Sequence, residues 1–354
     1  MSHIQRNKEI TIMLIEIILI ICNLHILLLF IFLITFRIYN RYSLVFCKSS
    51  EQIQNKTVII TGASSGIGKE SARNLSKRGG RIILACRNLE KAQNVAESGN
   101  SNVFVRKLDL TSLDSVRCFA KEILQNEKRL DILMLIAGIS GTKEKQTTEN
   151  GLESTMATNY FGHFLLLSLN VKIIVIVLKI LGLLKRSNPS RVIVTTSTAI
   201  LAISKINPKD LNFEKEKYTN FRAYSVSTLC SALMTKYLAV YFLNKGITVN
   251  CVAPGIVKTE LYEKSPNPWV SKVMKAVVYF TGRSVEEGAQ THIYLAVAED
   301  VRDVTGAFFM DCKERKGNRL MEDAGIIKKV WEASEELVQL TPQERSSRIN
   351  PTNC

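Results

Sequence analysis

No pair of the eight cysteines (Cys22, Cys47, Cys86, Cys118, Cys230, Cys251, Cys312 and Cys354) is spaced Cys-x-x-Cys, so neither a zinc ribbon nor a dithiol redox motif is expected. Several fall inside runs that read as strands or helices, as reduced thiols of a cytosol-facing domain would. Cys354 is the last residue rather than the fourth from the end, which excludes a prenylation box. No internal repeat and no low-complexity stretch interrupts the chain. The formal net charge is +15, yet Lys and Arg are scattered and form no nucleic-acid module. No nucleic-acid partner is expected, and the charge suits a surface near an anionic membrane. No metal site is expected.

One segment lacks charge altogether. Residues 17–36 contain no Asp, Glu, Lys or Arg. A helix of that length crosses about 30 Å of hydrocarbon. No Ala-x-Ala pattern follows it, so the segment reads as a retained anchor rather than a cleaved signal. Arg37, Arg41 and Lys48 follow it, against Arg6 and Lys8 before it. The margin is one charge, and it leans towards a cytosolic C-terminal domain.

From Lys56 onward, apolar β-branched runs alternate with helical patterns. Strands are expected at 57–62, 81–86, 102–108, 131–137, 191–197, 247–253 and 307–311. Helices are expected at 67–78, 88–98, 112–127, 152–185, 224–244 and 285–298. This alternation predicts an α/β doubly wound parallel sheet of Rossmann type, with about seven strands behind a transmembrane helix. Three regions follow: an anchor with a basic juxtamembrane segment (1–49), the α/β domain (50–312) and a charged surface tail (313–354).

Residues 61–68 read Thr-Gly-Ala-Ser-Ser-Gly-Ile-Gly, between a strand and a helix. A glycine turn there brings backbone against a pyrophosphate and aims the helix N-terminus at it. The spacing of Gly62, Gly66 and Gly68 is Gly-x-x-x-Gly-x-Gly. Further segments are Ala-Cys-Arg-Asn (85–88), Leu-Asp-Leu-Thr (108–111), Asn-Tyr-Phe-Gly-His-Phe (159–164), Asp-Leu-Asn-Phe-Glu-Lys (210–215), Ala-Pro-Gly-Ile-Val-Lys-Thr (253–259) and Glu-Glu-Gly-Ala-Gln-Thr (286–291). With these, residues 55–312 resemble the short-chain dehydrogenase/reductase family, in its membrane-anchored retinol dehydrogenase-like branch.

The resemblance implies an NADP-dependent oxidoreductase interconverting a lipophilic alcohol and its aldehyde or ketone, anchored at the endoplasmic reticulum. It implies cofactor contacts at Gly62, Ser64, Ser65, Gly66, Ile67, Gly68, Arg87, Asp109, Leu110, Ala137, Gly138, Tyr224, Pro254, Gly255, Val257 and Thr259. No carboxylate ends the second strand, and Arg87 is placed for the 2′-phosphate of NADP(H). Asp109 could instead cap the helix near Ser112. Tyr224 would donate the proton, Ser197 would polarise the carbonyl, and Asn159 would hold a relay water. Thr195 and Thr196 lie two places and one place early for the serine role. Segment 260–282 follows the Pro254-Gly255 turn, where relatives carry a lid. Its Tyr262, Trp269, Val273, Met274 and Phe280 could line a lipophilic site or be plain core. The resemblance leaves a homodimer through helices 152–185 and 224–244 open.

Three departures stand out. The family's Tyr-x-x-x-Lys is Tyr224-Ser225-Val226-Ser227-Thr228 here, without the lysine whose charge lowers the phenol's pKa. Lys236 lies about 12 Å further along a helix, and Arg222 faces elsewhere. A catalytically impaired protein that retains nucleotide binding is therefore the alternative reading. The family's Asn-Asn-Ala-Gly is Leu135-Ile136-Ala137-Gly138, which removes an amide that ties the central sheet. The Asn159–Ser197 interval is longer than the resemblance implies, with a surplus near 171–178. That surplus fits a retained intron, a second span or an extended helix.

Overall fold

The computed structural model describes residues 3–97, 102–168, 187, 189–259 and 268–341. Helix α1 (His3–Tyr42) carries the uncharged segment and leaves its apolar side chains exposed from Ile12 to Phe32. A protein that exposes so many large aliphatic residues in one helix needs an apolar solvent around them.

The remaining chain builds one sheet. Its strands are β1 (Thr57–Thr61), β2 (Arg81–Cys86), β3 (Val103–Lys107), β4 (Ile132–Leu135), β5 (Ser190–Thr195), β6 (Ile247–Val252), β7 (Phe308–Met310) and β8 (Lys313–Arg315). The spatial order is β3-β2-β1-β4-β5-β6-β7-β8. All neighbours pair in parallel except β7 and β8. The seven expected strands are all present, and β8 is an antiparallel addition at the edge. β1, β2 and β4 are almost wholly buried, as parallel strands covered on both faces must be.

Helices α2 (Gly66–Lys77), α3 (Leu89–Glu97) and α4 (Leu113–Asn126) follow the first three strands. After β4, α5 (Ser154–Met156) passes through a π turn (Ala157–Phe161) into α6 (Gly162–Ser168). Helices α7 (Asn220–Tyr241), α8 (Pro268–Thr281), α9 (Val285–Val297) and α10 (Ala324–Leu337) complete the chain. Strand order reverses between β1 and β4, which opens a crevice at their carboxyl ends.

The segment after 312 differs from the expected surface tail. Helix α10 buries Val330 and Trp331; the Trp331 ring stacks on Tyr237 of α7 at 3.9 Å and meets Phe164 of α6 edge-on at 4.7 Å. Tyr160 and Ser334 share a buried hydrogen bond of 2.8 Å. The apolar stripe Ile326, Ile327, Val330, Trp331 and Leu337 has helical spacing beneath the surface charge, and burying it outweighs solvating the lysines beside it. One flank of α7, expected to be free for a homodimer, thus carries α10. The surplus at 171–178 lies outside the described residues.

Candidate active site

A cleft of about 1190 Å³ opens at the carboxyl ends of the strands. Every residue expected at the site lines it: Gly62, Ser64, Ser65, Gly66, Ile67, Gly68, Arg87, Asp109, Leu110, Ala137, Gly138, Asn159, Ser197, Tyr224, Pro254, Gly255, Val257 and Thr259. Thr228 lies on the same wall.

Two glycines are dictated by close approach. A Cβ at Gly62 would sit 2.7 Å from the Ala137 Cα, and one at Gly68 would sit 2.5 Å from the Gly62 carbonyl oxygen. Gly62 also has φ +68°, the left-handed region. Ser65 caps α2 without a side-chain hydrogen bond, and the first turn holds no acidic residue. The helix therefore keeps its N–H groups and positive dipole end for an anion. The cleft fits a nicotinamide dinucleotide on these grounds. Arg87 is exposed at the rim, where the Lys107 ammonium donates to its carbonyl at 2.7 Å. Asp109 accepts from the Thr111 N–H at 3.0 Å and the Thr111 hydroxyl at 2.7 Å. It does not cap α4; Ser112 does, accepting from the Ser115 N–H.

At the opposite wall, Ser197 and Tyr224 line the cleft together, and the Ser197 side chain acts on the Tyr224 phenol. Burial pushes the Tyr224 phenol above its ordinary pKa, and the Ser197 contact pulls it part of the way back. The neighbouring threonines are engaged elsewhere. Thr195 shares a 2.9 Å hydrogen bond with His292, and Thr196 donates to the Thr228 carbonyl at 2.8 Å. That leaves Ser197 as the hydroxyl facing Tyr224.

Asn159 sits in the π turn, a distortion frequent at functional sites. Its amide donates to the Ile139 carbonyl at 3.0 Å and accepts from the Ile139 N–H at 2.8 Å. The same amide donates to the Ser227 hydroxyl at 3.0 Å, and Ser227 donates to the Tyr224 carbonyl at 2.8 Å. Asn159 thereby ties the β4 exit loop to the helix that carries Tyr224.

Among the described residues, neither neighbouring cation stands in for the missing lysine. The Thr228 hydroxyl turns back on its own helix, to the carbonyls of Tyr224 and Ser225, both at 3.1 Å. Lys236 pairs with Glu322 at 2.9 Å, and Arg222 pairs with Glu216. The missing amide at 136 does have a stand-in. The Thr61 hydroxyl accepts from the N–H groups of Ile136 at 2.9 Å and Ala137 at 3.1 Å. It also meets His163 Nε2 at 2.9 Å, while His163 Nδ1 lies 3.2 Å from the Asn159 carbonyl. Thr61 has one proton, and two N–H groups already point at its oxygen. It therefore donates to Nε2, and Nδ1 carries the ring proton. Burial holds His163 neutral, with a pKa near 4. Sequence reasoning did not single out Thr61, His163 or Ser227, although all three lie within or beside the quoted motifs.

Residues 62–310 match the family model described as enoyl-(acyl carrier protein) reductase. The chain is 39% identical over 302 residues to human retinol dehydrogenase 13, covering 83% of this chain and 88% of that protein. It is 38% identical to human retinol dehydrogenase 14 over 307 residues, covering 81% and 88% respectively. The chain belongs to the short-chain dehydrogenase/reductase family. It is accordingly an oxidoreductase fold built for a nicotinamide cofactor. Among solved structures, levodione reductase superposes with a TM-score of 0.57 at 20% identity, over 73% of this chain and 96% of that one. A structure described as an NAD(P)-dependent gluconate 5-dehydrogenase from Beutenbergia cavernae, with bound NADP, has a TM-score of 0.56 at 19% identity over 73% and 96%. At those identities the likeness speaks for the fold. In the expected lid, Tyr262 lies outside the described residues, as do the side chains of Trp269, Val273 and Met274; Phe280 packs against Arg37 of α1.

Proposed function

We propose that this chain is a membrane-anchored, NADP-dependent oxidoreductase that interconverts a lipophilic alcohol and its aldehyde or ketone, of the retinol/retinal kind. The observation that carries it is one cleft lined by Ser197 and Tyr224 together with the glycine turn of Gly62, Gly66 and Gly68. The retinol dehydrogenases of similar sequence support the substrate class, and the exposed apolar helix supports a membrane location. The anchor sits in the endoplasmic reticulum membrane with the domain facing the cytosol, consistent with its free cysteines among the described residues.

Arg87 holds the 2′-phosphate at the rim. Gly62 and Gly66 let the backbone approach the pyrophosphate, and Pro254, Gly255, Val257 and Thr259 close the nicotinamide end. When bound, the cofactor gives or takes the hydride. Ser197 donates to the substrate oxygen, and Tyr224 moves the proton at its phenol oxygen. Asn159, which lines the cleft, holds the relay water.

With a neutral threonine at 228, nothing on that helix turn stabilises a phenolate. Tyr224 is therefore a protonated acid across neutral pH and a base only when the pH approaches its raised pKa. Carbonyl reduction needs the acid, and alcohol oxidation needs the base. Oxidation should rise steadily from pH 7 to pH 10, while reduction stays level and then falls. Rates of retinal reduction with NADPH and retinol oxidation with NADP⁺, measured on the full chain in lipid nanodiscs, test this. An oxidation rate that levels off near pH 7 would mean that another group takes the proton. NADPH binding without turnover of any alcohol or carbonyl would favour the impaired reading, which the inward-turned Thr228 hydroxyl supports.

A further inference from the structure

Helix α8 meets the end of the anchor helix and nothing in the proposed chemistry uses its outer face. Where the uncharged run of α1 stops, Arg37 hydrogen-bonds the Phe280 carbonyl and places its guanidinium 4.8 Å from the centre of the Phe280 ring. Asn40 donates to the Thr281 carbonyl at 3.2 Å, and Arg283, just past α8, donates to the Ser43 hydroxyl at 3.2 Å. Arg41 pairs with Glu287 on the next helix. These contacts fix the C-terminal end of α8 at the level where the span leaves hydrocarbon.

The outward face of α8 has its own pattern. Lys272, Lys275, Ala276 and Tyr279 follow i, i+3, i+4, i+7 spacing and are all exposed, whereas Val278 on the other side is buried. Tyr279 is 77% exposed, and the Lys258 ammonium lies 5.0 Å from its ring centre. Phe280 beside it is 39% exposed. Aromatic rings at the end of a span sit at headgroup depth, and lysines on the same face meet anionic phosphates.

We infer that α8 is an interfacial helix whose Lys272–Tyr279 face lies on the anionic headgroups of the membrane that holds α1. Span continuity and charge both favour a lipid surface as the occupant. The inference is independent of the substrate: it holds for an active enzyme and for an impaired one.

The chain has two tryptophans, Trp269 and Trp331. A Tyr279→Trp reporter in a Trp269→Phe background leaves Trp331, buried in the core, as the internal standard. The full-length variant is reconstituted in vesicles of brominated phosphatidylcholine, with and without phosphatidylserine. The expected result is strong bromine quenching of the reporter with phosphatidylserine present, and an unquenched Trp331. Lys272→Gln and Lys275→Gln should each weaken the phosphatidylserine dependence roughly fivefold. An unquenched reporter in anionic vesicles would overturn the placement. Equal quenching with and without phosphatidylserine would overturn the assignment of anionic headgroups. NADPH binding by the same variant shows that the fold is intact.

Discussion

The nucleotide end of the cleft and its proton-transfer end have diverged to different degrees. At the nucleotide end, backbone geometry sets the residue: a side chain at Gly62 or Gly68 has nowhere to go. At the other end, side-chain chemistry sets it. There position 228 lacks the cation that the resemblance implies, while the helix that carries it stays in place; the amide that the resemblance implies at 136 is absent beside Gly62, just past β4. A fold tolerates the loss of a functional group that does not hold its backbone, and it does not tolerate a Cβ where two chains touch. The loss at 136 is covered by a neighbouring hydroxyl, and the loss at 228 is not.

The largest effect should come from restoring the charge. Thr228→Lys places an ammonium one helical turn below Tyr224, where it favours the phenolate. Oxidation of retinol with NADP⁺ at neutral pH, which needs the base, should rise by about 10²–10⁴-fold, the usual span of general acid–base assistance. Thr228 is 6% exposed and lines the cleft, so the longer side chain enters the cleft rather than the core. Unchanged turnover would break the comparison, because the proton-transfer end would then have its own substitute for the lysine.

Thr61 comes next. Thr61→Val keeps the shape and leaves the N–H groups of Ile136 and Ala137, and Nε2 of His163, without their partner. The expected loss is about 3 kcal/mol of stability or more, since three groups lose their partner and each buried unpaired group costs about 1–3 kcal/mol. Chemical denaturation of the full chain in detergent micelles measures it. His163 adds a pH signature. Its folded pKa of about 4 lies below the ordinary histidine value, so the unfolded chain binds the proton first. Stability is full above pH 6.5 and falls as the pH drops towards 4. A melting temperature that holds constant across that window would contradict a buried neutral His163.

Arg87→Ala tests the rim. A charge-assisted hydrogen bond contributes about 1.5–3 kcal/mol, so preference for NADPH over NADH should fall by about 10–100-fold. A loss of affinity for both cofactors alike would mean that Arg87 supports the nucleotide generally.

The same division explains what was legible in the sequence. The glycine turn, the buried strands and the hydroxyl pair are local patterns, and each stood out at its own position. Helix α8 falls in a segment that the resemblance makes a lid because it follows the Pro254-Gly255 turn, and its apolar residues fit a ligand lining and plain core equally. Helix α10 hides its apolar stripe between Lys328, Lys329, Glu332, Glu335 and Glu336, so composition favoured a surface tail. The Thr61–His163 contact joins residues 102 positions apart, and no local pattern announces it. Nor does a sequence tell that the Thr228 hydroxyl turns to its own helix rather than the cleft.

The smallest effect is expected at Ile136, where the resemblance alone would forecast a sizeable gain from restoring asparagine. The backbone N–H of Ile136 already has Thr61 as its partner, and the Ile136 side chain packs against the apolar cluster that includes Ile60 and Met134. Ile136→Asn would exchange that partial burial for an amide worth about 1 kcal/mol of net hydrogen bonding. The two contributions nearly cancel, and stability should move by less than about 1 kcal/mol. In the Thr61→Val background the sum changes. The asparagine amide could then take up the groups that the lost hydroxyl leaves, and the same substitution should recover part of the stability. A double-mutant cycle on the two positions reads this as a coupling. If Ile136→Asn gains as much alone as with Thr61→Val, the two groups are independent ties and Thr61 is not the replacement for the lost amide.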